Sequence, residues 1–133
     1  MVTITEGSGV RVKIARKALD KLFSNYIRAR ANWRCERCGN MPAKQGLHCH
    51  HFHRRRHMAT RYEESNCVSL CFGCHQYLGE NKKAEEAFFL DRLGQEEYDQ
   101  LMLRANNVVH IDLSAVELYL RQKLRELQKE IQT

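Results

Sequence analysis

Two Cys-x-x-Cys knuckles, Cys35-Glu36-Arg37-Cys38-Gly39 and Cys71-Phe72-Gly73-Cys74, are the residues most plainly spaced for chemistry. Together they supply four thiolates, enough for a closed tetrahedral zinc shell with Zn–S near about 2.3 Å. One knuckle alone would read equally well as a redox pair; two, with a small residue at or near each turn, favour structural zinc. Such a shell is absent from an unfolded chain. Zinc on Cys35, Cys38, Cys71 and Cys74 would therefore add folding free energy and tie Cys35 to Cys71 across the intervening segment. Between the knuckles runs Leu47-His48-Cys49-His50-His51-Phe52-His53-Arg54-Arg55-Arg56, then Asn66, and His75 directly follows the second knuckle. A neutral imidazole can take a proton near neutral pH or bind a divalent ion. Guanidinium groups hold phosphate bidentately and stay charged, so Arg54, Arg55 and Arg56 suit clamping a nucleic-acid strand. Cys49 and Cys67, the two remaining cysteines, fall in strand-like pieces and read as small buried residues.

The charge distribution points to the same half of the chain. The net charge is +6, yet residues 11–61 carry fourteen Lys or Arg against only Asp20 and Glu36. Residues 62–133 are acidic on balance, with eight basic and thirteen acidic side chains. The basic half should meet a polyanion, through a field that attracts phosphate backbones without reading sequence and weakens with salt. Weak sequence preference is expected, because no helix offers Asn, Gln and Arg at major-groove spacing. No apolar stretch approaches the roughly 18 residues that span a bilayer, which excludes membrane partners. Six cysteines in 133 residues are too few for a disulfide scaffold. No basic-then-apolar leader precedes them, so a reduced, cytoplasmic setting is expected.

The elements that position these residues follow from periodicity. The chain length suits a single domain. A basic amphipathic helix is predicted over residues 14–31, with Leu19, Leu22, Phe23, Tyr26 and Ile27 on its apolar face. Arg28 and Arg30 on that helix join Arg55 and Arg56 as candidate nucleic-acid contacts. Strands are predicted over 47–52 and 67–70 within an irregular zinc-bound core spanning 33–80. Residues 81–133 return to helix: Asn81 is a plausible cap, Gly94 closes one segment, and a second runs to about Ala105. The terminal helix opens on a capping-box signal, Ser114 with Glu117, and carries the stripe Val116, Leu120, Leu124, Leu127 and Ile131. That stripe either packs on its own subunit or, with near-heptad steps, seams a homodimer.

The order of these parts, His50-His51 on a strand, Asn66 opening a second strand and His75 on a helix among two zinc knuckles, resembles the HNH, or ββα-metal, endonuclease family. The basic helix before the first knuckle is similar to those of bacteriophage HNH proteins, implying a phage or prophage product in the bacterial cytoplasm. The resemblance covers roughly residues 33–78. It implies an α+β fold: a zinc-stapled ββα-metal core with flanking helices. It also implies His51 as general base and Asn66 as the residue orienting it; Arg54, by its charge and its nearness to His51 in the chain, is added as an aid to the reaction beside the cut. His50 and His75 would hold a catalytic ion, Mg2+, Mn2+ or another divalent ion, apart from the structural Zn2+. The implied activity is hydrolysis of DNA phosphodiesters to 5′-phosphate and 3′-hydroxyl ends. A structure-selective nuclease for branched DNA and a non-catalytic zinc-ribbon binding module are the alternatives. His48 and His53 read as solvent-facing or phosphate-contacting side chains.

Overall fold

A computed structural model describes residues 14–43 and 46–132, with the backbone alone at 131 and 132. Val2-Thr3-Ile4, whose alternation reads as a lead-in or an edge strand, and the side chain of Ile131 lie outside the described residues. The first helix, α1 (Arg16–Arg30), buries Leu19, Phe23, Tyr26 and Ile27, which recur at the spacing of one helical face. It ends at Ala31, after which Asn32 and Trp33 take left-handed φ values of 56° and 58°. Such a conformation is unusual for a tryptophan. The Trp33 amide donates to the Arg28 carbonyl at 2.9 Å, and the Arg28 guanidinium lies 5.4 Å from the indole centroid. This reversal delivers the chain into the first knuckle.

The strands β1 (Leu47–His51) and β2 (Cys67–Cys71) form an antiparallel pair in the register Leu47↔Cys71, Cys49↔Ser69 and His51↔Cys67. Between them lie a short helix, α2 (Met58–Arg61), and a 3-10 turn over Glu64–Asn66. The chain then passes from β2 into α3 (Phe72–Glu80), α4 (Lys82–Leu93), α5 (Gln95–Arg104) and α6 (Leu113–Gln132). The whole is α+β, a small two-stranded sheet between helical layers. None of the described helices is long and apolar enough to cross a membrane.

Two hydrophobic cores flank the sheet. One gathers Leu47, Phe52, Val68, Leu70, Leu78 and Phe89 around the buried knuckle cysteines Cys35 and Cys74, with α3, α4 and α5 above them. The other joins Leu19, Phe23, Tyr26 and Ile27 of α1 to Cys67 and to Leu120 of α6, with Val116, Leu124 and Leu127 packed at its edge. The α6 stripe is therefore used against α1 of the same subunit. Two caps differ from expectation. The Asp112 carboxylate, not Ser114, caps α6 by accepting from the Ala115 amide at 3.1 Å, which places Ser114 inside the helix. The Asn81 side chain donates back to the Tyr77 carbonyl at 2.7 Å instead of capping α4.

Candidate functional site

The sulfurs of Cys35, Cys38, Cys71 and Cys74 all lie within 4.8 Å of one another, with Cys38 and Cys71 3.8 Å apart. The knuckles meet because the Leu47↔Cys71 end of the sheet abuts the turn in which the Gly39 amide donates to the Cys35 carbonyl at 2.9 Å. Gly39 holds φ at 81°, a value a glycine takes without strain. Burial raises the Cys35 thiol pKa, but the amides of Cys38, Cys71 and Arg37 outweigh it and bring it down to about 7. The Arg37 guanidinium adds a donor 3.4 Å from the Cys74 sulfur. Four soft donors at mutual ligand distance, braced by N–H groups, fit a structural zinc site.

Because strand side chains alternate, the adjacent His50 and His51 face opposite sides of the sheet. His50 points toward α3 and α4 and is fully buried. Its Nε2 lies 2.5 Å from a carboxylate oxygen of Glu85, itself 1% exposed, and its Nδ1 lies 2.8 Å from Nδ1 of His75 on α3. Glu85 is held in the ionised form: burial opposes this, but the His50 hydrogen bond, Lys82 and Arg54 prevail. An ionised Glu85 accepts the Nε2–H of His50 as a hydrogen bond and so turns Nδ1 of that ring toward His75. His75 is pushed down to about 4, mainly by burial and then by His50, His48 and Arg54. At 2.8 Å one Nδ1 donates to the other; displacement of that proton would leave two imidazole nitrogens converging, with a carboxylate behind one of them, an arrangement that suits a divalent ion. The ring of His48 stacks on His75 at 4.8 Å and 3°.

On the other face, His51 sits against Phe23 of α1, and its Nε2 donates to the Arg61 carbonyl at 3.2 Å. That bond assigns the proton to Nε2 and leaves Nδ1 with the lone pair. Burial lowers the His51 pKa and keeps the ring neutral. Asn66 is fully buried and ties down the loop after His51: its Oδ1 accepts from the His53 amide at 2.9 Å. Its Nδ2 donates to the His53 and Thr60 carbonyls at 3.0 and 3.1 Å. A groove of about 490 Å³ runs past His48, His51 and His75, rimmed by Arg28, Arg54 and Arg55.

The arginines divide into two kinds. Arg54 donates to the His51 carbonyl at 2.9 Å and approaches Glu85 at 3.7 Å, so it spans the two histidine sites, while its side chain is half exposed. Arg55 is exposed and pairs with Asp20 at 3.5 Å, and Arg56 is exposed beside His57. Arg28 donates to the Leu47 carbonyl at 3.3 Å and to Asn25 at 2.6 Å. Arg30, expected among the nucleic-acid contacts, is instead turned inward: its donors satisfy the carbonyls of Glu64 at 3.0 Å and Cys67 at 2.8 Å. Three residues that position the candidate site carried no sequence signal. Glu85 sits in a helix of balanced charge, Arg61 orients His51 through its backbone, and Asp20 pairs with the Arg61 side chain at 2.5 Å. Each becomes visible only when remote segments meet.

The family model described as Bacteriophage Lambda NinG protein matches residues 11–130. No match was found among curated proteins or among solved structures.

Proposed function

The chain belongs to the NinG family of bacteriophage proteins, and from that premise we propose that it is a divalent-metal-dependent HNH endonuclease acting on DNA in the bacterial cytoplasm. The observation that carries the reading is the division of labour across one strand. His50, His75 and Glu85 gather on one face of β1, His51 points from the other, and the arginine-rimmed groove passes both. The β1, β2 and α3 succession supports this reading, because it follows the ββα order that the resemblance to HNH endonucleases implies.

In this reading the Nδ1 of neutral His51 takes a proton from the attacking water, while Nε2–H stays on the Arg61 carbonyl and holds the ring plane. Arg54 and Arg55, with Arg28 on the opposite rim, hold the phosphates flanking the cut. His50 and His75 would hold the ion, with Glu85 fixing the tautomer of His50. When bound, a divalent ion would neutralise charge on the phosphate oxygen and on the departing 3′ oxygen. Asn66 fixes the loop that carries Arg54 relative to His51 and performs no proton transfer.

The test is incubation of supercoiled plasmid, and separately of a branched DNA, with the zinc-loaded protein in Mg2+, Mn2+ or Ni2+. Cleavage is expected in at least one metal, abolished by chelator, and reduced at least about 100-fold in His51→Ala. Binding without cleavage in every metal would instead make the chain a zinc-ribbon binding module.

A further inference from the structure

The α1-facing side of the sheet carries a second group of metal-ligating atoms that the reaction above does not use as a group. The sulfurs of Cys49 and Cys67 and a ring nitrogen of His51 all lie within 4.8 Å of one another. The pleat explains why: Cys49 and His51 are two residues apart on β1, and Cys67 is the register partner of His51 on β2. We propose that Cys49, Cys67 and His51 form a regulatory zinc site, distinct from the knuckle site, whose occupation withdraws His51 from catalysis.

Three features support a loadable site. First, two thiolates and a neutral imidazole balance a divalent ion, so the occupied centre carries no net charge where Cys67 is fully buried. Loading replaces the two S–H protons by S–Zn bonds and releases them to solvent. Second, Ser69 stands opposite Cys49 and two residues along from Cys67, on the same face. It is fully buried, and among the described residues its Oγ has no hydrogen-bond partner. A thiolate ligand is the acceptor such a hydroxyl lacks. Third, Cys49 and His51 both line the groove, so an ion reaches them from solvent. Three protein ligands leave a fourth position open, unlike the closed shell of the knuckles.

The inhibitory consequence rests on the reading of His51 as general base; the binding itself does not. A neutral imidazole has one lone pair, and one committed to zinc cannot accept a proton from water. The site would let a thiophilic cation, in excess of the structural equivalent, silence the enzyme without dismantling it.

Zinc-loaded full-length protein titrated with Co2+ tests the binding. One further equivalent is expected to bring thiolate-to-cobalt charge-transfer absorbance, which Cys49→Ala loses while keeping the wild-type circular dichroism. Ser69→Ala should weaken that equivalent about 10-fold. In the unaltered protein, the second zinc equivalent should protect Cys49 from iodoacetamide, read by peptide mass, which covers the case of a variant that misfolds. Plasmid cleavage in Mg2+ should fall as the second zinc binds and return on mild chelation. Absence of a second equivalent, or one that Cys49→Ala retains and that leaves Cys49 alkylated, overturns the site. A second equivalent that leaves cleavage unchanged overturns its inhibitory role. A Cys49-dependent equivalent in a protein that cleaves in no metal keeps the site and removes the nuclease reading. Cleavage without such an equivalent does the reverse.

Discussion

Glu85 lies thirty-five residues from His50, yet it sets which nitrogen of that ring is available. Glu85→Ala should weaken the divalent ion that supports cleavage by about 10–100-fold while knuckle zinc stays bound. Metal-dependence curves for cleavage and elemental analysis check the two halves of that statement. Acidification probes the histidines directly. Burial lowers the pKa of both His51 and His53 in the folded protein below the ordinary value of 6.5. As pH falls below 6.5 the unfolded chain takes up protons first, so stability is lost from there down through the depressed folded values; above 6.5 these groups contribute no slope. The urea midpoint should therefore drop between about pH 7 and pH 5.5, and the acid limb of cleavage should lie below 6.5; a midpoint that rises contradicts it. The sequence displayed His50, His51 and His75 because residue type and adjacency are local properties. Glu85, Arg61 and the inward turn of Arg30 were not legible, because each depends on a contact across ten residues or more.

Among the elements, the loop between the strands depends on one side chain. Asn66→Ala would leave the His53 amide and the carbonyls of His53 and Thr60 short of their partners, at a cost of about 3 kcal/mol. Chemical denaturation should show that loss with knuckle zinc retained, and cleavage should fall with it. Helix and strand placement was readable from periodicity: α1 at residues 16–30 and β2 at 67–71 fall within a residue or two of expectation. The caps were not. Asp112 and Ser114 both offer an oxygen at the start of α6, and only the path of the incoming chain decides which one meets the Ala115 amide. Asn81 likewise had two helices to serve and closes α3.

At the scale of the molecule, α6 completes the second core. Leu120 is 1% exposed between α6 and α1. Leu120→Ala should cost about 2–5 kcal/mol, by the same amount at every protein concentration, because the contact is made within one subunit. A loss that shrinks at high concentration would instead signal subunits paired through that helix, an arrangement that would require the α1 packing to open. The stripe was visible in the sequence, but its partner was not, since a near-heptad face fits a foreign helix as well as α1.

The placement of the two histidine sites on opposite faces of a two-stranded sheet has a mechanical consequence. His50 and His75 move with the layer built on α3 and α4, whereas His51 moves with α1 and α6. The candidate centre thus lies on the seam where two cores meet across the sheet, and in the proposed mechanism shear of one layer past the other would displace base from ion before either core melts. A misplacement of about 1 Å costs on the order of 100-fold in rate. Cleavage should therefore fade reversibly on heating at temperatures where far-UV circular dichroism and knuckle zinc are still intact, and coincidence of all three losses would show the layers to be rigidly coupled.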